Sequence, residues 1–124
     1  MARPPSSGLT DGEARLMAVL WARGRATVAE VQAGLKGRHE VTYSTVQTLL
    51  RILEEKGYVA HEKLGRAFLY RPLIDEGQAR RRALRHMVSR LFENSPSLLV
   101  LNVLEDDRMT REELRRLKKL INDA

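Results

Sequence analysis

The stretch Thr42-Tyr43-Ser44-Thr45-Val46-Gln47-Thr48-Leu49-Leu50-Arg51-Ile52-Leu53-Glu54-Glu55-Lys56-Gly57-Tyr58-Val59 decides how this 124-residue chain is read. Val46, Leu49, Leu50 and Leu53 recur at i, i+3, i+4 and i+7, the spacing of a helix with one buried face, and Gly57 stops it. At about 100° per residue, Ser44, Gln47, Thr48 and Arg51 gather on the opposite side. Those side chains suit a nucleic acid: Arg pairs bidentately with guanine, Gln with adenine, and hydroxyls reach bases or phosphates. No carboxylate joins that face until Glu55, so the N-terminal end of the helix, where the dipole favours phosphate, can approach a polyanion. Taken alone, the same face also fits the solvated side of an ordinary core helix.

The flanking sequence supplies a context. Thr10-x-x-Glu13 and Thr27-x-x-Glu30 both match a capping box, in which the hydroxyl satisfies a backbone amide one turn on and the carboxylate reaches back. From the first, Leu16, Met17, Val19, Leu20 and Trp21 form the buried stripe of a helix that ends at Gly24. From the second, Val28, Val31 and Leu35 mark a short helix ending near Gly34 and Gly37. This helix, a short turn and the Thr42 helix make a helix-turn-helix candidate. Downstream, 58–64 and 67–71 read as a β-hairpin turning at Gly65-Arg66 and closed by Pro72. Its Lys63, Arg66 and Arg71 give it the charge of a basic wing. The expected fold is therefore mainly α with a small β-hairpin wing: a tail over 1–8, a winged helix-turn-helix over 9–72, and a helical region over 73–124. The same order of elements also serves winged-helix modules that dock on a protein partner.

The helical region begins with a long helix over 74–92, carrying Leu84, Met87, Val88 and Leu91 on one face. Its Arg80, Arg81, Arg82, Arg85 and Arg90 read as a solvated face in preference to a second phosphate patch. Ser95-Pro96 provides an N-cap and a first-turn proline for an apolar helix to about Leu104, with Leu98 and Leu101 within it. A third capping box, Thr110-x-x-Glu113, with Met109 and Leu114 placed as a hydrophobic staple, opens a last helix carrying Leu114, Leu117, Leu120 and Ile121. These stripes exceed what one short tail should expose. Mutual burial across a two-fold axis in a homodimer is the expectation, with an intrachain three-helix bundle as the alternative.

Composition removes other classes. The chain carries +6 net charge, leaning only mildly toward its first 72 residues, and has no cysteine, so disulfides, thiolate metal sites and cysteine nucleophiles are excluded. No apolar run approaches the length of a membrane helix and the Pro- and Ser-containing N-terminus lacks a signal-peptide core, so the cytoplasm is the expected location. His39, His61 and His86 lack partners at metal-ligand spacing and read as surface residues. Neither a Gly-x-Ser-x-Gly elbow nor a phosphate-cradling Gly-rich loop occurs, and the pairs Glu54-Glu55, Asp106-Asp107 and Glu112-Glu113 sit at helix ends. The expectation is no enzyme, no catalytic residue, no metal and no cofactor.

Three stretches resemble the penicillinase and methicillin-resistance repressors of bacteria: 13–21 (EARLMAVLW), 42–59, and 97–102 (SLLVLN). The resemblance runs from about Leu9 to Asn122. It implies a winged-helix repressor that dimerises through its C-terminal helices on double-stranded operator DNA, at an inverted repeat with a TACA/TGTA-type core. By position, Thr42, Tyr43, Ser44, Thr45, Gln47, Thr48 and Arg51 match the family's recognition helix, and Lys63, Arg66 and Arg71 its wing. The resemblance further implies control of penicillin-resistance-type genes, with release by a membrane-bound sensor zinc protease that cuts the repressor between Asn102 and Val103. The best-known cut site has Phe where this chain has Val103. The related copper-responsive repressors carry a C-terminal cysteine cluster, and a chain without cysteine lacks that switch.

Overall fold

A computed structural model of the chain describes residues 8–123 other than 36, 38, 39 and 107. Residues 1–7 of the expected 1–8 tail, His39 and Asp107 thus lie outside the described residues. The elements, in order, are α1 (Asp11–Arg23), β1 (Ala26–Thr27), α2 (Val28–Gly34), α3 (Tyr43–Glu55), β2 (Val59–Leu64), β3 (Ala67–Pro72), α4 (Glu76–Leu91), α5 (Pro96–Leu104) and α6 (Arg111–Asp123).

Local chemistry places the helix ends. At α1 the Thr10 hydroxyl accepts from Glu13 N at 3.2 Å while Glu13 Oε1 accepts from Thr10 N at 2.7 Å. Thr27 and Glu30 repeat the exchange at α2, and Thr110 and Glu113 at α6. Ser95 caps α5 by accepting from Leu98 N at 3.1 Å. The C-terminus of α3 is a Schellman motif, with Tyr58 N donating to Leu53 O at 2.9 Å and Gly57 N to Glu54 O at 3.1 Å. The motif requires Gly57 at φ 83°, in the left-handed region where a Cβ is strained, and it turns the chain straight into the hairpin.

The hairpin is joined by a third strand. Ala26 and Thr27 pair antiparallel with Tyr70 and Leu69, giving a three-stranded sheet of order β1-β3-β2. Sequence reading assigns Thr27 to the start of a helix and leaves Ala26 unassigned, because two residues carry no period of their own; they are a strand only because β3 lies beside them. The link between α2 and α3, residues 35–42, is also longer than the expected short turn. It is held by Gln32 Nε2 donating to Val41 O at 3.0 Å.

The core collects Leu16, Met17 and Leu20 from α1, Val28 and Val31 from α2, Val46, Leu50 and Leu53 from α3, and Ala26, Tyr58, Val59 and Tyr70 around the sheet. Each fully buried large aliphatic residue contributes roughly 1.5–3 kcal/mol. The helices also meet at close range: a Cβ on Gly34 would stand 2.8 Å from Val19 Cγ1, so the end of α2 needs a residue without one.

Two compact units result, Met1–Ala83 and Leu84–Ala124. Their division falls inside α4, not at residue 72. The first turns of α4 belong with the sheet-bearing unit because Ala79 is buried there, the Trp21 indole donates to Ile74 O at 3.0 Å, and the Arg82 guanidinium lies 4.8 Å over the Tyr58 ring. In the second unit no described residue is buried.

Candidate nucleic-acid interface

The candidate site is built on α3, whose inner face is set by Val46, Leu50 and Leu53 in the core. That rotation leaves Tyr43, Ser44, Thr45, Thr48 and Arg51 exposed and Gln47 half-buried. Ser44, Thr48 and Arg51 thus lie opposite the buried stripe, with Tyr43 and Thr45 exposed to either side of them. Thr42 is already engaged within the helix end, since its hydroxyl accepts from Thr45 N at 3.2 Å, donates to Thr45 Oγ1 at 2.9 Å, and lies 3.3 Å from Ser44 Oγ. It caps the helix and gathers three hydroxyls at the N-terminus. The first turn of α3 holds no acid, whereas α1, α2, α4 and α6 each begin with at least one. Thr42 caps the end, as Ser95 does the likewise acid-free α5, and no first-turn carboxylate opposes the dipole there.

The wing stands beside the other end of α3. Strand register sorts its basic residues, since residues paired across an antiparallel ladder share a face and neighbours along a strand alternate. His61 pairs with Tyr70 and Lys63 with Phe68, on the face turned to α3, where His61 Nδ1 meets Glu54 Oε1 at 2.5 Å. Arg71 pairs with Ala60 and so belongs to the opposite face, with Glu62 and Leu69. There Glu62 is paired with Arg25 at 3.3 Å. Arg66 occupies the connecting turn. All three basic residues are exposed, but they do not form one surface: Lys63 shares the α3 side and Arg71 does not.

Two features escaped sequence reasoning. His61, expected as a plain surface residue, stacks on Phe68 with ring centroids 4.4 Å apart and an interplanar angle of 29°, and lies 5.3 Å from the Tyr70 ring. The signal was present, since a Gly65-Arg66 turn fixes the register that sets His61 opposite Tyr70. In the same cluster, burial pushes the Tyr70 hydroxyl above the usual phenol range, helped by the Glu54 carboxylate and Tyr43 and opposed by Arg51. The second feature is Glu13, which besides capping α1 receives the Lys56 ammonium at 2.7 Å. Its side chain is 2% exposed and that of Lys56 11%. Lys56 Nζ also donates to Gly8 O at 3.3 Å. Burial pushes the Glu13 carboxyl up, but the Lys56 ammonium and the Thr10 amide and hydroxyl outweigh it and hold the group below the ordinary carboxylate range. The pair ties α1 to the end of α3 and so helps hold the recognition surface.

No group of three or more His, Cys, Asp or Glu among the described residues could hold a metal ion, and no helix among them is long and apolar enough to cross a membrane.

A helix-turn-helix whose second helix turns a polar, acid-free first turn outward, followed by a basic antiparallel wing, defines the winged helix-turn-helix class. The family model for the penicillinase repressor matches residues 9–123, and the chain belongs to that family, one of DNA-binding transcriptional repressors and not of enzymes. The penicillinase repressor of Bacillus licheniformis is 30% identical over 115 residues, covering 93% of this chain and 90% of that protein. The methicillin resistance regulatory protein MecI of Mammaliicoccus sciuri is 20% identical over 114 residues, 92% of this chain and 93% of that one. Among solved structures, the DNA binding domain of the repressor BlaI is similar with a TM-score of 0.51 and 36% identity, covering 61% of this chain and 90% of that one.

Proposed function

We propose that this protein is a cytoplasmic transcriptional repressor that binds an inverted-repeat operator as a homodimer and controls penicillin-resistance-type genes. The observation that carries the reading is the acid-free, hydroxyl-rich N-terminal face of α3, with an exposed wing at the helix's other end, in a chain of the penicillinase repressor family. Arg51, Gln47 and the hydroxyls of Ser44, Thr45 and Thr48 read base edges, with Tyr43 at the entrance to the groove. Lys63 and Arg66 hold phosphates on the side of α3, and Arg71 holds a phosphate from the other face of the wing. Residues 9–72 supply the DNA-binding domain, with the first turns of α4 as its support, and the rest of the chain supplies pairing.

The second unit supports the dimer by what it lacks. Leu84, Met87, Leu91, Leu101, Leu104, Leu114, Leu120 and Ile121 are exposed and Val88, Leu98 and Leu117 only half-buried. With no buried side chain among the described residues from 84 onward, this unit has no core of its own, and a second copy completes one at the least cost in new surface. Two recognition helices then enter successive major grooves about 34 Å apart. The reading extends to release by a membrane-bound sensor zinc protease cutting between Asn102 and Val103, where Val103 departs from the Phe of the family's best-known cut site; both are exposed on the last turn of α5, where Asn102 Nδ2 donates to Leu98 O at 2.8 Å.

The test is selection of genomic DNA fragments by the purified protein at about 150 mM salt, where nonspecific electrostatic binding is much reduced. Enrichment of promoter fragments sharing an inverted repeat is the expected result. Enrichment no better than that of an unrelated basic protein would overturn the reading and favour a protein-docking role for α3.

A further inference from the structure

Only Lys56, Gly57 and Tyr58 separate α3 from β2, and the wing leaves the core quickly: Tyr58 and Val59 are buried, whereas 61–67 are exposed. A hairpin attached this way needs a lateral tie if its tip is to keep one direction relative to the helix. The structure has one on the α3 side. His61 Nδ1 bonds Glu54 Oε1 at 2.5 Å, and since a carboxylate only accepts, the ring nitrogen is the donor. The two side chains are 31% and 38% exposed, and the imidazole is held from behind by Phe68 at 4.4 Å and Tyr70 at 5.3 Å. Phe68 in turn meets Tyr70 edge-on at 6.5 Å. The cluster joins the last turn of the recognition helix to both strands of the wing, two residues before Lys63 and five before Arg66.

The sign of the charge makes this arrangement informative. Glu54 is a negative group on the surface shared by α3 and the wing, where a protein that meets a polyanion gains attraction from removing it. We infer that the Glu54–His61 pair, backed by Phe68 and Tyr70, is a brace that sets the wing's direction against the recognition helix. Glu54 and His61 are then positioning residues for operator recognition: they register the Lys63 and Arg66 phosphate contacts with the bases that α3 reads. The inference rests on the DNA-binding reading above and adds to it how helix and wing act together.

The probes are a duplex carrying the inverted repeat enriched from genomic DNA and a scrambled duplex of equal length, each titrated by fluorescence anisotropy at several salt concentrations with the full chain. Glu54→Ala, His61→Gln and the double variant are compared with wild type. The brace predicts that each single variant loses about three- to tenfold of the preference for the repeat, and that the double variant loses no more than either single, as for two partners in one interaction. It also predicts a shallower dependence of log K on log salt for the repeat duplex in the variants, because a wing phosphate contact is given up. Glu54→Ala tightening both duplexes equally would show a charge effect alone and overturn the inference, as would losses that add in the double variant. Should Glu54→Ala melt well below wild type, His61→Gln read against scrambled DNA carries the same test. Wild type that fails to separate the two duplexes would instead overturn the DNA-binding reading, and the brace with it.

Discussion

Replacing Lys56 by Met puts a number on the pair that holds the end of the recognition helix. The Glu13 side chain is 2% exposed and its Oε1 lies 2.7 Å from Lys56 Nζ, so the substitution leaves a buried carboxylate without its cation while keeping the volume of the stem. Breaking a buried pair from one side costs about 3–5 kcal/mol. Glu13 retains the Thr10 amide at 2.7 Å, which places the expected loss near the lower end, about 3 kcal/mol at pH 7. The pH dependence follows from the direction of the carboxyl's shift. In wild type the folded-state pKa lies below the ordinary carboxylate value, so the contribution of Glu13 is present above that value and lost as pH falls through the depressed folded one. In Lys56→Met, burial acts without the ammonium and the folded pKa is expected above the unfolded one. The penalty is then largest at neutral pH and shrinks at acid pH as the buried group protonates. Urea unfolding at one fixed protein concentration, followed by the fluorescence of Trp21, the single tryptophan of the chain, reads the relevant unit. A drop of about 1–3 M in the midpoint at pH 7 is expected. A difference under about 1 kcal/mol at pH 7, or one equally large at pH 4, would refute the reasoning, since either would mean that the carboxylate is not confined with Lys56.

Further expectations bear on packing, recognition and pairing. Gly34→Ala sets a methyl 2.8 Å from Val19 Cγ1 and should cost about 1–3 kcal/mol by thermal melting, with Val19→Ala in the same chain recovering part of the loss. Arg51→Ala should relax sequence preference by about 1–3 kcal/mol among operator variants, whereas Arg66→Ala should weaken all duplexes alike and lower the salt slope by about one; the reverse pattern would exchange their roles. Leu91→Asp, at a side chain 69% exposed in the single chain, should give a monomer by sedimentation with weak operator binding. Wild type already monomeric at micromolar concentration would remove pairing from the account.

The helices and their order are legible in the residues themselves because their determinants are local. A capping box spans four residues, the α3 stripe repeats within one or two turns, and Gly57 ends that helix by its own backbone freedom; each acts in any chain that carries it. The outward set Ser44, Gln47, Thr48 and Arg51 follows from the same periodicity. The turn at Gly65-Arg66 likewise determines which residues of the hairpin oppose one another, so the sorting of Lys63 and Arg71 onto different faces was implicit there, though a reading by charge alone overlooks it. Other features were decided only by tertiary structure. Ala26-Thr27 becomes a strand when β3 arrives beside it, Glu13 finds Lys56 across 43 residues, and the Trp21 indole reaches Ile74 O across 53, drawing the start of α4 into the first unit. His61 acquires a partner in Glu54 once the Schellman turn folds the hairpin back along α3. The physical reason is one of range: caps, turns and helical faces are settled by groups a few bonds apart, whereas a pairing between distant residues has no trace in either partner until the packed core brings their backbones together.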